Sequence, residues 1–291
     1  MNSICKKNVR IADWILYGLI YLSAAVSVLL IGGIVIYVIW NGLDKVNWKF
    51  LTTTTSALKG TVGIAGNILN TLYIILLTML LATPIGVGAA IYLNEYAKPG
   101  PLVNLIELAT ETLSGIPSII FGLFGMMFFG ETLGLGYSIL TGTLTLNLMV
   151  LPLITRNTQE ALKTVPDSYQ NGAIGLGAGK WYMIRTILIP AAMPGVITGV
   201  ILAIGRIVGE SAALLYTAGS SDLLPVAGAY WKAYIYKIFQ SGGTLTIQLY
   251  LSMSKGEYGV AYGIALVLLV IVLVINMATK LLSKKFDVNR R

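Results

Sequence analysis

The chain has 291 residues, of which 56% are hydrophobic and only 11% are charged, and its formal net charge is +8. Soluble domains carry about 25% charged residues, so the composition excludes an ordinary soluble fold and indicates an integral membrane protein. The sequence has no histidine and a single cysteine, Cys5, which excludes an intrachain disulfide and removes the commonest metal ligand. The basic residues lie mostly outside the apolar runs, so we interpret them as topology signals and expect no nucleic acid partner.

Residues 1–59 contain a basic tail, one long apolar run and a polar loop. The run 14–40 has no charged residue over 27 positions, and because a membrane span needs roughly 20 apolar residues, it predicts the first transmembrane helix. This run is too long for the core of a signal peptide, so we expect no cleavage after it. Residues 41–59 are polar and predict an external loop.

The rest of the sequence predicts five more spans, which gives an all-α integral membrane protein with about six transmembrane helices. Residues 60–282 form its core, and residues 283–291 form a basic cytoplasmic tail. The five predicted spans lie at 60–94, 112–130, 138–155, 195–219 and 258–279.

Two polar stretches between these spans leave alternatives open. Residues 95–107 are either a cytoplasmic loop or a surface helix, and we interpret Glu107 and Glu111, four residues apart, as acidic residues at a helix start. The segment 220–257 is predicted to be external. Its part 244–254 alternates apolar and polar residues, which suits either a strand or a surface helix.

The distribution of basic residues predicts the orientation in the membrane. With six spans, both termini lie on one side, and that side carries 12 Lys and Arg residues against six on the other. Because basic residues favour the cytoplasmic side, we predict cytoplasmic termini for a multi-pass protein of the cell membrane, surrounded by lipid. No internal repeat is visible, which argues against a secondary transporter built from inverted repeats.

A polar, glycine-rich stretch, residues 167–195, separates the fourth and fifth predicted spans. Pro166 precedes a short helix that Asp167 is placed to cap, and Gly177 with its neighbouring glycines ends that helix. A second short helix then follows and ends at Pro190, because proline disfavours the continuation of a helix. We therefore predict a helix-turn-helix on the cytoplasmic membrane surface, and we call this stretch up to Pro190 the elbow.

Two pairs of charged residues occur in the apolar part of the chain with a spacing of four. Arg206 and Glu210 fall in the fifth predicted span, where such a spacing places both on one helix face. Charges within a span are costly and face either a pathway or each other, so a structural ion pair is the alternative to a transport role. Arg156 lies at the end of the fourth span and has Glu160 in reach, and its alternative is an anchor at the membrane surface.

The elbow resembles the EAA loop of ABC importer permeases, which has the pattern EAA-x3-G-x9-I-x-LP. Here asparagine, glycine and isoleucine replace the pattern's glutamate, first alanine and leucine. The small side chains at the triplet indicate close approach by a partner. The resemblance implies that residues 157–190 form a cytoplasmic coupling loop that docks on an ATP-hydrolysing subunit. The positions concerned are Asn171, Gly172, Ala173, Gly177, Ile187, Ile189 and Pro190.

Two further segments resemble the phosphate-specific members of this family, namely SGIPSIIFGLFG at 114–125 and AIGRIVGESAALL at 203–215. The chain is similar to the A-type permease of phosphate-specific ABC importers over about residues 60–282. The resemblance implies the type I, MetI-like permease architecture. It also implies four kinds of subunit, in which the partners of this chain are a C-type permease, two ATP-binding subunits and an extracytoplasmic phosphate-binding protein.

The charges within the spans predict an anion pathway, which the resemblance assigns to phosphate. Arg206 is its anion-binding group, and Glu210 either orients the guanidinium or accepts a hydrogen bond from the protonated phosphate. Arg156, with Glu160 in reach, is a second cation along the route. The chain has no phosphate-binding loop for ATP and no nucleophile–base pair. We therefore predict a non-catalytic subunit that binds no cofactor or metal itself, with ATP–Mg²⁺ used by a partner. Alternatives are a permease for sulfate, molybdate or phosphonate, a secondary transporter or channel, a non-transporting scaffold, and a homodimer in place of a heterodimer.

Overall fold

The computed structural model of the chain describes residues 11–56, 60–224 and 232–286. Five of its helices are long and apolar enough to cross a membrane, and two more, bent by 104° at their junction, make a sixth crossing when taken together. The predicted all-α membrane fold with about six spans is therefore confirmed. Residues 1–10 and 287–291, which hold much of the two basic tails, lie outside the described part of the chain.

The first span, α1 (Ile11–Gly42), packs mainly along the last span, α13 (Tyr258–Phe286). Tyr37 of α1 and Tyr262 of α13 meet edge to face, with ring centroids 5.6 Å apart. Gly42 lies so close to α13 that a Cβ atom built on it would be 2.7 Å from the carbonyl oxygen of Tyr262. The contact is confined to one side of α1, and most of its apolar side chains remain exposed.

The predicted external loop after α1 contains short regular elements. Asn47 caps the first α-helical turn, because its side-chain oxygen accepts a hydrogen bond of 2.9 Å from the backbone N–H of Phe50. A two-stranded antiparallel sheet then leads the chain back to the second span. The elements are a 3₁₀ turn (Leu43–Lys45), α2 (Trp48–Thr52), β1 (Thr54–Ser56) and β2 (Thr61–Ile64), with Thr54 opposite Ile64.

Three helices form the centre of the fold and bury most of the apolar core between them. Small residues allow their axes to approach closely. A Cβ atom built on Gly86 would lie 2.8 Å from the Ile154 side chain, and one built on Gly199 would lie 2.8 Å from the Cβ of Asn157. The three helices are α3 (Ala65–Ile91), which continues through a π-helical turn to Tyr96, α6 (Ile139–Lys163) and α9 (Ile189–Gly209).

The third span, predicted at residues 112–130, is a bent pair of helices that begins earlier than predicted. The chain forms α4 (Pro101–Gly115) and α5 (Ser118–Gly125), the latter prolonged by a π-helical turn to Thr132, with a bend of 104° between them. The bend occurs because proline disfavours the helical conformation of the preceding residue. Ile116 accordingly has an extended backbone, with ψ 132°, and Pro117 follows with ψ 139°.

The sequence predicts either a loop or a helix for residues 95–107. The structure shows that this stretch is helical from Pro101 onward, where α4 begins. Glu107 and Glu111 lie in the second and third turns of α4, and no acidic residue occupies its first turn. The interpretation of these two residues as helix-start acids is therefore wrong. Both are exposed.

The fifth span begins and ends earlier than predicted. Its helix starts with α8 (Lys180–Met183), passes through a π-helical turn (Ile184–Leu188) into α9, and ends at Gly209 instead of residue 219. Glu210 then has an extended backbone, with φ −80° and ψ 124°. The chain turns into a separate short helix, α10 (Ala212–Thr217), which packs against α5.

The predicted external segment 220–257 is helical where the structure describes its second half, so the strand alternative is wrong. The side-chain oxygen of Thr244 accepts a hydrogen bond from the backbone N–H of Ile247 and caps this helix. Residues 225–231 lie outside the described part. The elements of the segment are α11 (Lys232–Tyr236), a 3₁₀ turn (Lys237–Phe239) and α12 (Leu245–Ser254).

Side chains at the start of α3 hold this segment in place. The amide nitrogen of Asn70 donates to the carbonyl oxygen of Ser221 at 2.9 Å, and that of Asn67 donates to the carbonyl oxygen of Gly243 at 3.0 Å. Because irregular backbone packed in a protein interior needs such partners, these amides satisfy groups that no helix or strand satisfies. The segment is therefore fixed to the core by polar contacts.

We expect replacement of Gly86 by valine to destabilise the protein, and replacement of Gly88 by valine to have little effect. A side chain at position 86 overlaps Ile154, whereas one at position 88 meets no atom within 4 Å. Overpacking of this kind costs about 1–3 kcal/mol. Thermal unfolding of the detergent-solubilised protein measures the difference, and equal midpoints for the two variants would contradict the close contact between α3 and α6.

Candidate functional site

The elbow is a helix, a glycine turn and a second helix, as predicted. Its first helix, α7 (Asp167–Gly175), ends in a Schellman motif. The backbone N–H of Ala178 donates to the carbonyl oxygen of Ala173 at 3.0 Å, and that of Gly177 donates to Ile174 at 2.9 Å. Gly177 has φ +83°, a conformation that glycine adopts without steric cost, which explains a glycine at this position.

Two details of the elbow differ from the prediction. Asp167 is the first residue of α7 and makes no capping hydrogen bond with its side chain, because Pro166 occupies the cap position. Pro190 does not end the second helix, which continues into α9. The helix tolerates this proline because Pro190 follows a π-helical turn and lies in the first turn of α9.

A small apolar cluster attaches the elbow to the ends of the spans. Ala173, of the EAA-like triplet, is buried in it, and Ala178 packs against it. Because this cluster includes residues of α6, α7 and the helix leading into α9, a displacement of α7 acts directly on two spans. Its buried members are Ala161, Leu162, Val165, Ala173, Met183, Ile184, Leu188 and Ala192.

Lys180 makes a second attachment at the start of α8. Its ammonium group donates a hydrogen bond to the backbone carbonyl of Glu95 and lies 4.8 Å from the centre of the Tyr96 ring. A cation over an aromatic face is attracted by the ring. The elbow is therefore joined to the end of α3 as well as to α6 and α9.

The outer surface of the elbow is apolar and open. Asn171 and Gly172 are exposed, and a Cβ atom built on Gly172 or Gly177 would meet nothing within 4 Å. Leu176, at the tip, is 91% exposed. Large apolar side chains around it are also more than half exposed, namely Ile174, Trp181 and Tyr182. Exposed apolar groups clustered on a projecting turn are typical of a docking surface.

The structure separates Arg206 from Glu210, which the sequence had placed on one helix face. Arg206 lies in the last turn of α9 and is partly exposed, whereas Glu210 follows the end of that helix and is buried. The Glu210 carboxylate accepts a hydrogen bond of 3.0 Å from the backbone N–H of Ala213 and thereby caps α10. Within the described residues the two side chains form no ion pair, so the predicted helix-face pairing is wrong.

Glu210 also contacts the segment 220–257. Its backbone carbonyl accepts a hydrogen bond of 2.9 Å from the hydroxyl of Thr246, which lies in the first turn of α12. The residue thus joins the end of α9 to α10 and α12. Glu210 thereby fixes the start of α10, and its side chain forms no ion pair with the guanidinium of Arg206.

Arg156 and Glu160 do pair, as predicted, with 3.6 Å between Arg156 Nε and Glu160 Oε1. Their side chains are 54% and 66% exposed. Exposed charges on a membrane-spanning helix face water or another protein rather than lipid. The face of α6 that carries this pair is therefore directed at a partner or an aqueous passage.

A depression of about 400 Å³ beside this pair lies between α6 and α9 and is lined by Asn157, Glu160 and Thr198, among others. Along α9, Thr198, Leu202, Gly205 and Gly209 are exposed at spacings of three and four, which defines one face of the helix. Arg206 lies at the edge of this face, eight residues and about 12 Å beyond Thr198. The structure thus brings Arg206, Arg156 and Glu160 to one side of the α6–α9 pair.

The environment of Lys237 could not be predicted from the sequence, in which it is one of six basic residues on the predicted external side. Lys237 is 1% exposed, and its ammonium group donates to the carbonyl oxygen of Ser241 at 3.1 Å. Burial lowers the pKa of Lys237, and the negative charge of Asp222 offsets part of this effect. In the described ranges no group of three or more His, Cys, Asp or Glu side chains is placed to hold a metal ion.

Comparison with known proteins gives relatives for most of the chain. Residues 82–288 match the family described as "Binding-protein-dependent transport system inner membrane component". The chain is 39% identical over 212 residues to the "Probable ABC transporter permease protein YqgI" of Bacillus subtilis (strain 168), which covers 73% of this chain and 72% of that protein. It is 32% identical over 196 residues to the "Phosphate transport system permease protein PstA" of Xylella fastidiosa (strain Temecula1), over 67% of this chain and 66% of that protein.

A solved structure shares the fold. A chain of the bacterial alginate ABC transporter in complex with alginate pentasaccharide-bound periplasmic protein superposes with a TM-score of 0.68. The match covers 95% of this chain and 96% of that chain at 14% sequence identity. The predicted permease architecture is therefore confirmed at the level of the fold.

We expect Glu210→Gln and Glu210→Ala to show whether Glu210 stabilises the protein by capping α10 or by its negative charge. Glu210→Gln keeps an oxygen that accepts the Ala213 N–H, so the protein should retain its stability. Glu210→Ala removes the acceptor and leaves a buried N–H unpaired, which costs about 1–3 kcal/mol. Thermal unfolding midpoints measure both, and a loss of stability in Glu210→Gln as large as in Glu210→Ala would contradict the capping role.

Proposed function

We propose a function from one premise: the chain belongs to the family of binding-protein-dependent transport system inner membrane components. It is therefore a membrane-spanning permease subunit of an ABC importer, and ATP hydrolysis is the task of other subunits. Beyond this, we propose that the chain forms half of a translocation pathway for inorganic phosphate. Two observations support this substrate. The segments 114–125 and 203–215 resemble the phosphate-specific members of the family, and some relatives are named as phosphate transport permeases.

The proposed pathway runs along the side of α6 and α9 that carries the exposed charges. Arg206 is a partly exposed cation in the last turn of α9, and no acidic group neutralises it within an ion pair among the described residues. A guanidinium meets two oxygens of a phosphate at once, whereas an ammonium group acts as a point charge. Arg206 is therefore suited to bind the anion, while Arg156, already paired with Glu160, attracts it more weakly.

A transported ion must also dissociate, so the pathway must bind phosphate only weakly. A single cation in a partly exposed position attracts phosphate without fully dehydrating it, and the ion is released when the pathway opens to the other side. Glu210 is held by Ala213 and Thr246 and is not available to the ion in this conformation. We assign it a positioning role for α10 next to Arg206.

The elbow is the proposed contact with the ATP-binding subunit. It projects from the ends of the spans, its tip at Leu176 is exposed, and it rests on the cluster that includes Ala173 and Leu188. A movement of the ATP-binding subunit against this surface would reach α6 and α9 through that cluster and α3 through Lys180. The residues that line the pathway and those that receive the force thus lie on the same helices.

We propose the following assembly. This chain pairs with a second, C-type permease, each permease docks one ATP-binding subunit that carries ATP–Mg²⁺, and an extracytoplasmic binding protein delivers phosphate. The elbow and both termini face the cytoplasm of the cell, in line with the excess of basic residues on that side. The chain itself binds no cofactor in this proposal.

We expect Leu176→Asp to reduce recovery of the ATP-binding subunit with the permease by about tenfold and to lower uptake, because the change places a charge at the centre of the docking surface. Leu176 packs against little of its own chain, so insertion and folding should be unchanged. Leu133→Asp, at a comparably apolar exposed position between α5 and α6, is the matched control and should behave as wild type. Normal recovery and uptake with Leu176→Asp would show that the elbow is not the contact.

We expect Arg206→Gln to abolish phosphate uptake in an assembled complex, and Arg206→Lys to retain only part of it, because lysine keeps the charge but not the paired donors. Uptake of labelled phosphate into proteoliposomes, with ATP inside and binding protein outside, measures this. Sulfate and molybdate are offered in parallel, and preferred uptake of either would assign another oxyanion. If Arg206→Gln blocks assembly, or leaves uptake unchanged, the proposed role of Arg206 is wrong.

A further inference from the structure

A second cleft, of about 320 Å³, lies between the three central helices at their elbow ends. It is lined by Val87 and Ile91 of α3, Thr158 and Leu162 of α6, and Ile189 and Met193 of α9. These residues occupy different faces of α6 and α9 from those that line the depression beside Glu160. The cleft is therefore separate from the proposed phosphate pathway, and a molecule can occupy it without blocking transport.

The depth of the cleft along the spans is defined by the helix ends. Ile91 lies five residues before Tyr96, where the second span ends, and Leu162 precedes the last residue of α6, whereas Ile189 lies nine residues inside the helix that begins at Lys180. The cleft thus lies where the hydrocarbon core of a bilayer gives way to the headgroup region. Its lining residues are apolar apart from Thr83 and Thr158.

Two cations lie just beyond the cleft, toward the elbow. Arg185 precedes Ile189 by one helical turn and is exposed, and Lys163, the residue after Leu162, is exposed as well. The one ion pair of the described residues is that of Arg156 with Glu160, so neither Arg185 nor Lys163 has a carboxylate partner there. Positive charge next to an apolar cleft at this depth complements a molecule with an acyl chain and an anionic headgroup.

We propose that this cleft binds an anionic phospholipid, with one acyl chain between α3, α6 and α9 and the phosphate beside Arg185 and Lys163. Such a lipid has hydrocarbon followed by a negative charge, which matches the order of the apolar cleft and the two cations toward the elbow.

The position of the site connects the lipid to the elbow. Arg185 lies within the π-helical turn Ile184–Leu188, and Ile184 and Leu188 belong to the cluster that supports α7. A lipid held at both Arg185 and Ile189 therefore stabilises the turn that links the elbow to α9. The lipid acts on the docking surface by holding this turn, whatever ion the permease carries.

The test uses the purified complex with all its subunits in nanodiscs of phosphatidylcholine, with or without added phosphatidylglycerol. We expect the wild-type complex to retain phosphatidylglycerol in native mass spectrometry and to unfold at a higher temperature when it is present. The double variant Lys163→Gln with Arg185→Gln should weaken retention by roughly 25-fold, since each cation near the surface contributes about a factor of five. Equal retention of both lipids by the wild-type complex would overturn the proposal.

A variant that fills the cleft tests the acyl chain independently of the charges. Val87→Trp should abolish retention of phosphatidylglycerol, whereas Leu76→Trp, at a 67% exposed position of the same helix, should not. If Val87→Trp does not fold, Met193→Phe takes its place. Glycerol phosphate, which has the anionic group without acyl chains, should give no thermal shift, and a shift equal to that of the lipid would show a headgroup site only. Retention unchanged by both the charge and the cleft variants would refute the site.

Discussion

The contact between α6 and α9 is the interaction on which the rest of this structure depends. Gly195 and Gly199 of α9 lie directly on Ala161 and Asn157 of α6, and a side chain at either glycine would overlap the opposite helix. In a bilayer, association of spans relies on close van der Waals packing, since lipid chains are as apolar as the helix surfaces. This packing creates a depression on each side of the helix pair and brings the two helices to the elbow at a fixed separation.

The segment after α9 illustrates a second constraint, the need of buried backbone groups for partners. It is irregular between short helices, and Asn67, Asn70 and Thr71 at the start of α3 supply hydrogen bonds that its backbone would otherwise lack. Glu210 and Thr246 close the same region from the other side. The buried ammonium group of Lys237 fits this arrangement, because the carbonyl of Ser241 faces it. Polar side chains outside the proposed pathway thus stabilise the irregular backbone of this segment.

Structure and proposed function meet in the arrangement of three faces. The elbow presents an open apolar surface at one end, the exposed charges of α6 and α9 occupy one side, and the apolar cleft with its neighbouring cations occupies another. Leu162 connects two of these surfaces, because it lines the cleft and also belongs to the cluster beneath α7. If the proposed roles hold, α6 and α9 link the elbow, the pathway and the apolar cleft mechanically.

The sequence alone determined the features that depend on local chemistry. The spans follow from uncharged runs longer than the bilayer is thick, and the turn of the elbow follows from Gly177, where a positive φ favours glycine. The pairing of Arg156 with Glu160 followed from helical spacing, because both residues remain within one helix. The charges within the spans predicted a pathway, and the family resemblance added the docking partner and the phosphate substrate; these roles stay predictions.

Only the tertiary structure decided where a helix ends and which way a polar side chain turns. The size of the bend beside Pro117, the continuation of the helix through Pro190 and its end at Gly209 are visible only in the three-dimensional structure. Glu210 turns to Ala213, and Lys237 is buried against Ser241, because those partners are brought into reach by the fold. A spacing of four predicts a shared face only where the helix persists, and its persistence is set by contacts that the linear sequence does not contain.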